Sequence, residues 1–304
     1  MARPIHSDSL VAQPRRSFLQ AVAAGLMVPA CASVASAITR SESSMKFGLV
    51  TYLWGQDMDL PTVIDACEKA GLAGVELRTE HKHAVEPRLS KAERTEVRKR
   101  FEASKVTLVG YGSNAQFHEN DPAKVEANIE LAKQYIQLMH DCGGSGVKVK
   151  PNSFVQGIPR EQTIEQIGKA LNVVGEYGQK YGQQIRVEVH GSGTSELPVM
   201  KAIMDVADHP NVAVCWNSNV QDLKGEGLEH NFRLVCDRFG KTAHVRQLDA
   251  PDYPWDHLFR LFESISYDGW VLLEASGNPE DKIAALKHQR ELFDSLVKQA
   301  KDAR

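Results

Sequence analysis

Apolar and polar residues alternate along six short segments of the chain, and in each segment the polar residues crowd toward the C-terminal end. Successive side chains of a strand point to opposite faces, so this alternation predicts strands with one apolar and one polar face. In Gln184–Gly191 the polar face carries Arg186, Glu188 and His190. The other five segments are Gly74–Arg78, Gly146–Lys150, Val212–Asn217, Ala243–Leu248 and Trp270–Ala275.

A helical pattern follows each strand, and two further strands, Lys46–Trp54 and Val106–Gly110, complete eight strand-helix units. This order favours parallel strands covered by helices, either as a closed barrel or as an open doubly wound sheet. The polar strand faces need an enclosed space, and a closed barrel places such groups at its C-terminal mouth. No glycine-rich fingerprint of a dinucleotide-binding sheet follows the first strand. We therefore predict an α/β fold, a single-domain (β/α)8 TIM barrel over residues 46–304.

The first 37 residues have the features of an export signal rather than of the fold. Arg15 and Arg16 precede apolar residues, Ala21–Pro29 is a short apolar run, and Ala35–Ala37 has the A-x-A form of a cleavage site. This segment resembles a Tat signal peptide, followed by a short linker at 38–45. The resemblance implies export of the folded chain by the Tat machinery to the periplasm or the outside.

Two features limit how the exported chain is anchored. The apolar run is too short to span a bilayer stably, so we expect no transmembrane span in the mature form. Cys31 stands in a loose lipoprotein box, and lipid anchoring through it is the minor alternative to cleavage after Ala37.

Composition narrows the function classes further. The chain is 42% hydrophobic and 25% charged with a net charge of −3, and no basic patch is interleaved with aromatics, so a nucleic-acid partner is not expected. The 5 cysteines include no C-x-x-C pair. From the cysteines we expect neither a disulfide framework nor a zinc site, but buried small apolar residues at the mature-chain cysteines Cys67, Cys142, Cys215 and Cys236.

Five strand motifs together resemble the sugar phosphate isomerase/epimerase superfamily, the xylose isomerase-like barrels that include ketose 3-epimerases. The motifs are GVELR in the second strand, VEVHG in the fifth, CWN ending the sixth, HVR in the seventh and GWVLLEA in the eighth. The resemblance covers essentially the whole mature chain. It implies a small-molecule carbohydrate substrate, and it leaves the oligomeric state open, with a homo-oligomer among the alternatives.

The resemblance also implies a divalent cation at the mouth, held by Glu188, Asn217, His244 and Glu274. Two carboxylates, an imidazole and an amide oxygen form a mixed donor set that suits Mn²⁺, Mg²⁺, Co²⁺ or Zn²⁺. Glu188 and Glu274 would repel each other there. Without a cation we expect one of them to hold a proton with a raised pKa.

The same two glutamates are the acid/base pair that the resemblance implies. Moving a stereocentre beside a carbonyl needs one group to remove the α-proton and a second to return it on the other face. Glu188 and Glu274 take these roles in either order. Further residues are expected to contact the substrate: His190, Arg246, Lys150, His118 and Trp54, with Phe117 beside Trp54 as an apolar wall.

The chain departs from the usual epimerase pattern at three positions. Asn217 replaces an aspartate, Val220 a histidine and Gln247 a second aspartate. These changes predict weaker cation binding or a site converted to cation-free sugar binding, and Asp222 is an alternative source of the missing carboxylate.

Structural roles compete with functional ones at several residues. Lys148 and Lys150 would then pair with Glu76 and Glu188 inside the barrel, or Glu76 would orient Arg78 or Lys150. His190 would be a core histidine, whereas His81 and His83 in a charged loop are expected to be solvated.

Three functions follow from these residues. The first is a metal-dependent sugar or keto-sugar isomerase or epimerase that works through an enediolate. The second is a lyase or hydrolase that eliminates an aglycone from a 3-keto-glycoside after the same proton abstraction. The third is a non-catalytic periplasmic carbohydrate-binding protein.

Overall fold

Eight parallel strands close into a barrel in the computed structural model, which describes residues 44–303. Each strand pairs with its neighbours in chain order, and the first closes against the last, with Phe47 opposite Val271. The predicted single-domain (β/α)8 barrel is therefore confirmed, while the predicted signal peptide and positions 38–43 lie outside the described residues. The strands are β1 Lys46–Val50, β2 Gly74–Arg78, β3 Thr107–Gln116, β4 Gly146–Lys150, β5 Gln184–Glu188, β6 Val212–Asn217, β7 Phe239–Val245 and β8 Trp270–Leu273.

A helix follows every strand and begins and ends at residues suited to those positions. Asp59 caps the first helix by accepting from the amide of Thr62, and Gly71 ends it in the left-handed region at φ 72°. Ser90 and Glu93 form a reciprocal capping box on the second. The helices are α1 Leu60–Ala70, α2 Lys91–Glu102, α3 Pro122–Cys142, α4 Arg160–Lys180, α5 Leu197–Val206, α6 Leu228–Val235, α7 Trp255–Ser264 and α8 Lys282–Asp302.

The strand alternation divides the molecule into two buried layers. On β5, Ile185 and Val187 are fully buried in the apolar layer between the strands and the helices. Arg186 and Glu188 point the other way, into the barrel, and are also buried. The predicted faces are confirmed, and they bring charged side chains into the barrel interior.

Glycines on neighbouring strands make room for one of these charges. The guanidinium of Arg186 donates to the carbonyl of Val109 at 3.1 Å and to Ser145 Oγ at 2.9 Å. A Cβ on Gly146 would lie 2.6 Å from Arg186 Cζ, and one on Gly110 would lie 2.7 Å from Nη1. The lower barrel is therefore filled by an arginine that hydrogen bonds to backbone and side-chain oxygens.

Strand limits differ from the predicted ones mainly at the mouth. β1 ends at Val50 because a turn follows, in which the Gly55 amide donates to the Tyr52 carbonyl. β3 runs on to Gln116, which pairs with Lys150, whereas the prediction stopped at Gly110. Glycine is depleted in strands in general, but at Gly110 the guanidinium of Arg186 leaves no room for a Cβ.

The structure also bears on the cysteines and on membrane-spanning helices. Cys67, Cys142 and Cys215 are buried free thiols, as predicted, whereas Cys236 is only half-buried. Within residues 44–303, no helix is long and apolar enough to cross a membrane.

Candidate active site

The ends of β5 to β8 bring four predicted ligands to the mouth of the barrel. Glu188 ends β5 and Asn217 ends β6, opposite His244 of β7. Glu274 directly follows β8, where its amide donates to the Val245 carbonyl at 2.8 Å. Glu188 and His244 are almost completely buried, so the cluster begins inside the barrel and opens upward.

Three of these side chains converge on one point. Nδ1 of His244 lies 3.5 Å from Glu188 Oε1 and 3.5 Å from Glu274 Oε2, and the three atoms all lie within 4.8 Å of one another. At these distances Nδ1 is buried without a hydrogen-bond partner. An imidazole nitrogen and two carboxylate oxygens, close but not bonded to each other, fit a divalent cation.

Glu76 lies on the other side of the histidine ring. Its Oε1 is 3.2 Å from His244 Nε2, within ion-pair distance but without hydrogen-bond geometry, and both side chains are fully buried. Metal-binding histidines commonly donate their second ring N–H to a carboxylate, which leaves the first nitrogen free for the cation. The prediction that Glu76 orients Arg78 or Lys150 is therefore wrong: within the described residues its neighbour is His244.

Two cations within the barrel already neutralise the carboxylates. Lys148 Nζ lies 2.5 Å from Glu188 Oε2 in a fully buried ion pair, which confirms the structural alternative for this lysine. Arg78 Nη1 donates to Glu274 Oε1 at 2.8 Å. One oxygen of each glutamate thus binds a cationic side chain, and the other faces His244.

The asparagine presents its amide nitrogen to the cluster. Asn217 Nδ2 donates to Glu188 Oε1 at 2.9 Å, so its oxygen is not the atom that faces the predicted cation. The amide would have to rotate before it could act as a fourth ligand. Glu188, His244 and Glu274 therefore form the donor set as it stands.

The positive charges reverse one expectation about acidity. Burial alone would raise the pKa of Glu188, but Lys148 and His244 outweigh it and hold that pKa well below its ordinary value. Burial and the charge of Glu188 act in the same direction on Glu274, yet His244 and Lys148 lower its pKa as well. The prediction that one glutamate holds a proton with a raised pKa is therefore wrong.

The histidine carries the proton instead. Burial disfavours the imidazolium of His244, but the surrounding acidic groups, Cys215, Glu76 and Glu188 among them, raise its pKa well above the ordinary value. A protonated ring cannot bind a cation, so cation binding here would release a proton.

Above the cluster lies an open cavity of about 340 Å³. Three predicted substrate contacts, Lys150, His190 and Arg246, line it together with Glu188 and Glu274. Sequence reasoning missed five other lining residues, of which only the strand residue had a signal, its inward position on β2. They are Arg78 on that strand, and Tyr52, Ser218, Asn219 and Ser276 in loops.

The other predicted contacts lie elsewhere. Trp54 lines a neighbouring cavity of about 500 Å³ and donates from its indole to the Ser276 carbonyl at 2.9 Å. His118 follows β3 and is not among the residues that line the mouth cavity. Phe117 is fully buried in the apolar core, so the predicted wall is wrong for it.

Two loop predictions are also corrected. Asp222 does not join the cluster, because it is buried where Tyr253 Oη and the Asn219 amide donate to it at 2.6 and 2.8 Å. His83 is not solvated: its side chain is buried, Nε2 lies 2.8 Å from the Arg78 carbonyl, and Nδ1 accepts from the Val85 amide. His81 is half-buried beside Thr51.

The family model described as xylose isomerase-like TIM barrel matches residues 64–295, which is well over half of the chain. The chain belongs to this family. A comparison with curated protein sequences gives no match.

Several solved structures resemble the chain in fold. The apo form of 3-keto-D-glucoside 4-epimerase YcjR from E. coli is 12% identical with a TM-score of 0.70, over 83% of this chain and 100% of that one. L-ribulose 3-epimerase is 14% identical with a TM-score of 0.71, over 85% and 96%. The IolI protein, which has a zinc atom bound, is 17% identical with a TM-score of 0.70, over 84% and 99%.

Proposed function

We propose that this protein is a sugar or keto-sugar isomerase or epimerase that moves a proton on a carbon beside a carbonyl. The observation that carries the proposal is the pair of carboxylates, Glu188 and Glu274, meeting at His244 directly beneath an open cavity. The epimerases with similar folds make a sugar the first candidate substrate.

Glu188, His244 and Glu274 would hold a divalent cation, with Asn217 beside them. When bound, Mn²⁺, Mg²⁺, Co²⁺ or Zn²⁺ would polarise the carbonyl and hydroxyl oxygens of the sugar. The unpartnered Nδ1 of His244 and the carboxylate of Glu76 behind its ring support this assignment.

The two glutamates would exchange the proton. Their lowered pKa values keep both ionised at neutral pH, so either can accept the α-proton. Lys148 and Arg78 fix the orientation of the two carboxylates through ion pairs. In this proposal one carboxylate acts on each face of the substrate carbon. His190 and Arg246 would bind the sugar hydroxyl or carbonyl groups from the cavity wall.

Solvent-deuterium incorporation into a panel of ketoses and 3-keto-glycosides tests the proposal, on protein purified without chelator and analysed for bound metal. We expect exchange in the wild type and a loss of about a hundredfold or more in Glu188→Gln and Glu274→Gln. Glu226→Gln, an exposed glutamate outside the mouth cavity, is the matched control. If both mouth variants kept the exchange, the catalytic assignment would be wrong.

A lyase or hydrolase acting on 3-keto-glycosides is the second candidate. The 500 Å³ cavity shares Arg246 and Ser276 with the mouth, which gives space beside the cluster for an aglycone. A released aglycone rather than an isomeric sugar in the same assay would identify this reaction. Sugar binding by a folded protein that shows neither metal nor exchange would identify a carbohydrate-binding protein.

We also propose that the chain works outside the cytoplasm after Tat export. Arg15, Arg16 and the Ala35–Ala37 cleavage box support this. Fractionation of cells that express the full chain tests this. The wild type should appear in the periplasm, and the double variant Arg15→Lys plus Arg16→Lys should lose the periplasmic form.

A further inference from the structure

Lysine and arginine side chains gather at the mouth of the barrel. Three cationic side chains at the mouth or just beneath it have carboxylate partners, and one does not. The partnered ones are Arg78 with Glu274 at 2.8 Å, Lys148 with Glu188 at 2.5 Å and Arg246 with Asp252 at 3.1 Å.

The fourth cation is Lys150, at the end of β4. It lines the mouth cavity and forms no ion pair with any residue between 44 and 303. Its Nζ donates at 3.2 Å to the side-chain oxygen of Asn114, a neutral group. A partly buried ammonium without an acidic partner is unfavourable, because buried charges are normally paired.

The acidity of this lysine agrees with its surroundings. Burial lowers the pKa of Lys150 to about 8; the charges of Lys148 and Arg78 add to the effect, and those of Glu188 and Glu274 oppose it without cancelling it. The group still carries its proton at pH 7. A divalent cation held by Glu188, His244 and Glu274 would add more positive charge to the same mouth.

Arg246 also lines the mouth cavity. Its Nε and Nη2 are buried without hydrogen-bond partners, since only Nη1 reaches Asp252. These two atoms are not accessible from the cavity, and the guanidinium packs over the ring of Tyr253, so Lys150 is, among the described residues, the cation that remains free to bind a group in the cavity of about 340 Å³.

We propose that Lys150 binds a negatively charged group on the substrate, a carboxylate or a phosphate, and that the substrate is therefore an acidic sugar rather than a neutral ketose. This inference rests on the proposed function of the mouth as a sugar site. It makes Lys150 the residue that determines specificity and leaves proton transfer to Glu188 and Glu274.

Calorimetric titration at pH 7 tests this through binding affinity rather than turnover. The probes are glucuronate and gluconate for a carboxylate, glucose 6-phosphate for a phosphate, and glucose as the neutral reference. We expect at least one acidic probe to bind about tenfold or more tightly than glucose. Lys150→Met should abolish the difference and Lys150→Arg should retain most of it.

Lys224→Met is the matched control, because Lys224 lies outside the mouth cavity. The inference is overturned if no acidic probe binds better than glucose, or if folded Lys150→Met keeps the preference. The acidic probe that binds most tightly shows whether the site prefers a carboxylate or a phosphate. Deuterium exchange without an acidic preference would refute this inference alone. A preference without exchange would refute the catalytic proposal alone.

Discussion

The two sides of the barrel mouth differ in charge, although each also holds a residue of the opposite sign, Glu76 on β2 and Arg246 after β7. The side formed by β5 to β8 carries Glu188, His244 and Glu274, a set suited to a divalent cation. The side formed by β2 to β4 contributes Arg78, Lys148 and Lys150. The acidic side matches the expectation from the family resemblance, whereas the basic side binds to it directly through two ion pairs.

The difference shows how the carboxylates can remain charged and buried. Two glutamates within 4.8 Å of a common nitrogen would repel each other in a dry interior. Lys148 and Arg78 remove that repulsion, so the cluster is balanced before any cation binds. A cation or a substrate must therefore compete with internal ion pairs, and the predictions below change one side of the mouth at a time.

The largest effect is expected from breaking the buried pair. Lys148→Met leaves the Glu188 carboxylate buried without its main counterion, which should lower the free energy of unfolding by about 3–5 kcal/mol. Urea unfolding of chelator-treated protein measures it. Lys241→Met, which breaks the exposed pair with Asp268, should cost less than about 1 kcal/mol. If both variants lost the same free energy of unfolding, the buried pair would contribute no more to stability than the exposed pair.

The sequence predicts the acidic side of the mouth better than the basic side. Alternation within a strand decides which face a side chain occupies, and this places Glu188 and His244 inside the barrel. It does not decide which residue on the next strand lies alongside. Lys148 was expected to point inward, with its partner left open between Glu76 and Glu188, because that choice depends on the register of the closed barrel.

Loops and glycines account for most of the remaining errors. Trp54 and His118 follow strands whose ends were misplaced, so the side-chain positions beyond those ends could not be predicted. β3 was ended early because Gly110 reads as a break in a single strand. Gly110 leaves space for the Arg186 side chain, and this role is visible only when β3, β4 and β5 lie side by side in the barrel.

The loop after β2 gives a pH test of the basic side. Burial lowers the pKa of His83 to about 4, below the ordinary value of 6.5, and its neutral ring bridges the Arg78 carbonyl and the Val85 amide. For such a base the stabilisation is present above pH 6.5 and is lost as the pH falls toward 4.

Between pH 7 and pH 5 this loss should reach about 2 kcal/mol of unfolding free energy. Urea unfolding of the wild type and of His83→Gln at both pH values gives the difference in unfolding free energy between the two proteins. The change in that difference from pH 7 to pH 5 is the contribution of His83. His257→Gln, a more exposed histidine on α7, should leave the pH dependence unchanged. A His83→Gln protein with the slope of the wild type would assign the acid sensitivity to other groups.

The smallest expected change sharpens the acidic side instead. Asn217→Asp replaces the amide that donates to Glu188 with a third carboxylate in the cluster. We expect about tenfold tighter binding of Mn²⁺ or Zn²⁺ to chelator-stripped protein, together with lower stability of the cation-free form, because like charges then meet without a counterion. Calorimetric titration and thermal unfolding measure the two effects.

Asn219→Asp is the control for that change. It adds the same charge at the rim, where the Asn219 amide donates to the backbone carbonyls of Val189 and Asn217 rather than to a carboxylate. A general field effect would raise cation affinity in both variants alike. Tighter cation binding in Asn217→Asp alone would mean that position 217 governs how strongly the acidic side of the mouth competes with Lys148 for Glu188. If instead Asn217→Asp left cation affinity unchanged, the three-residue set of Glu188, His244 and Glu274 would be the whole binding site.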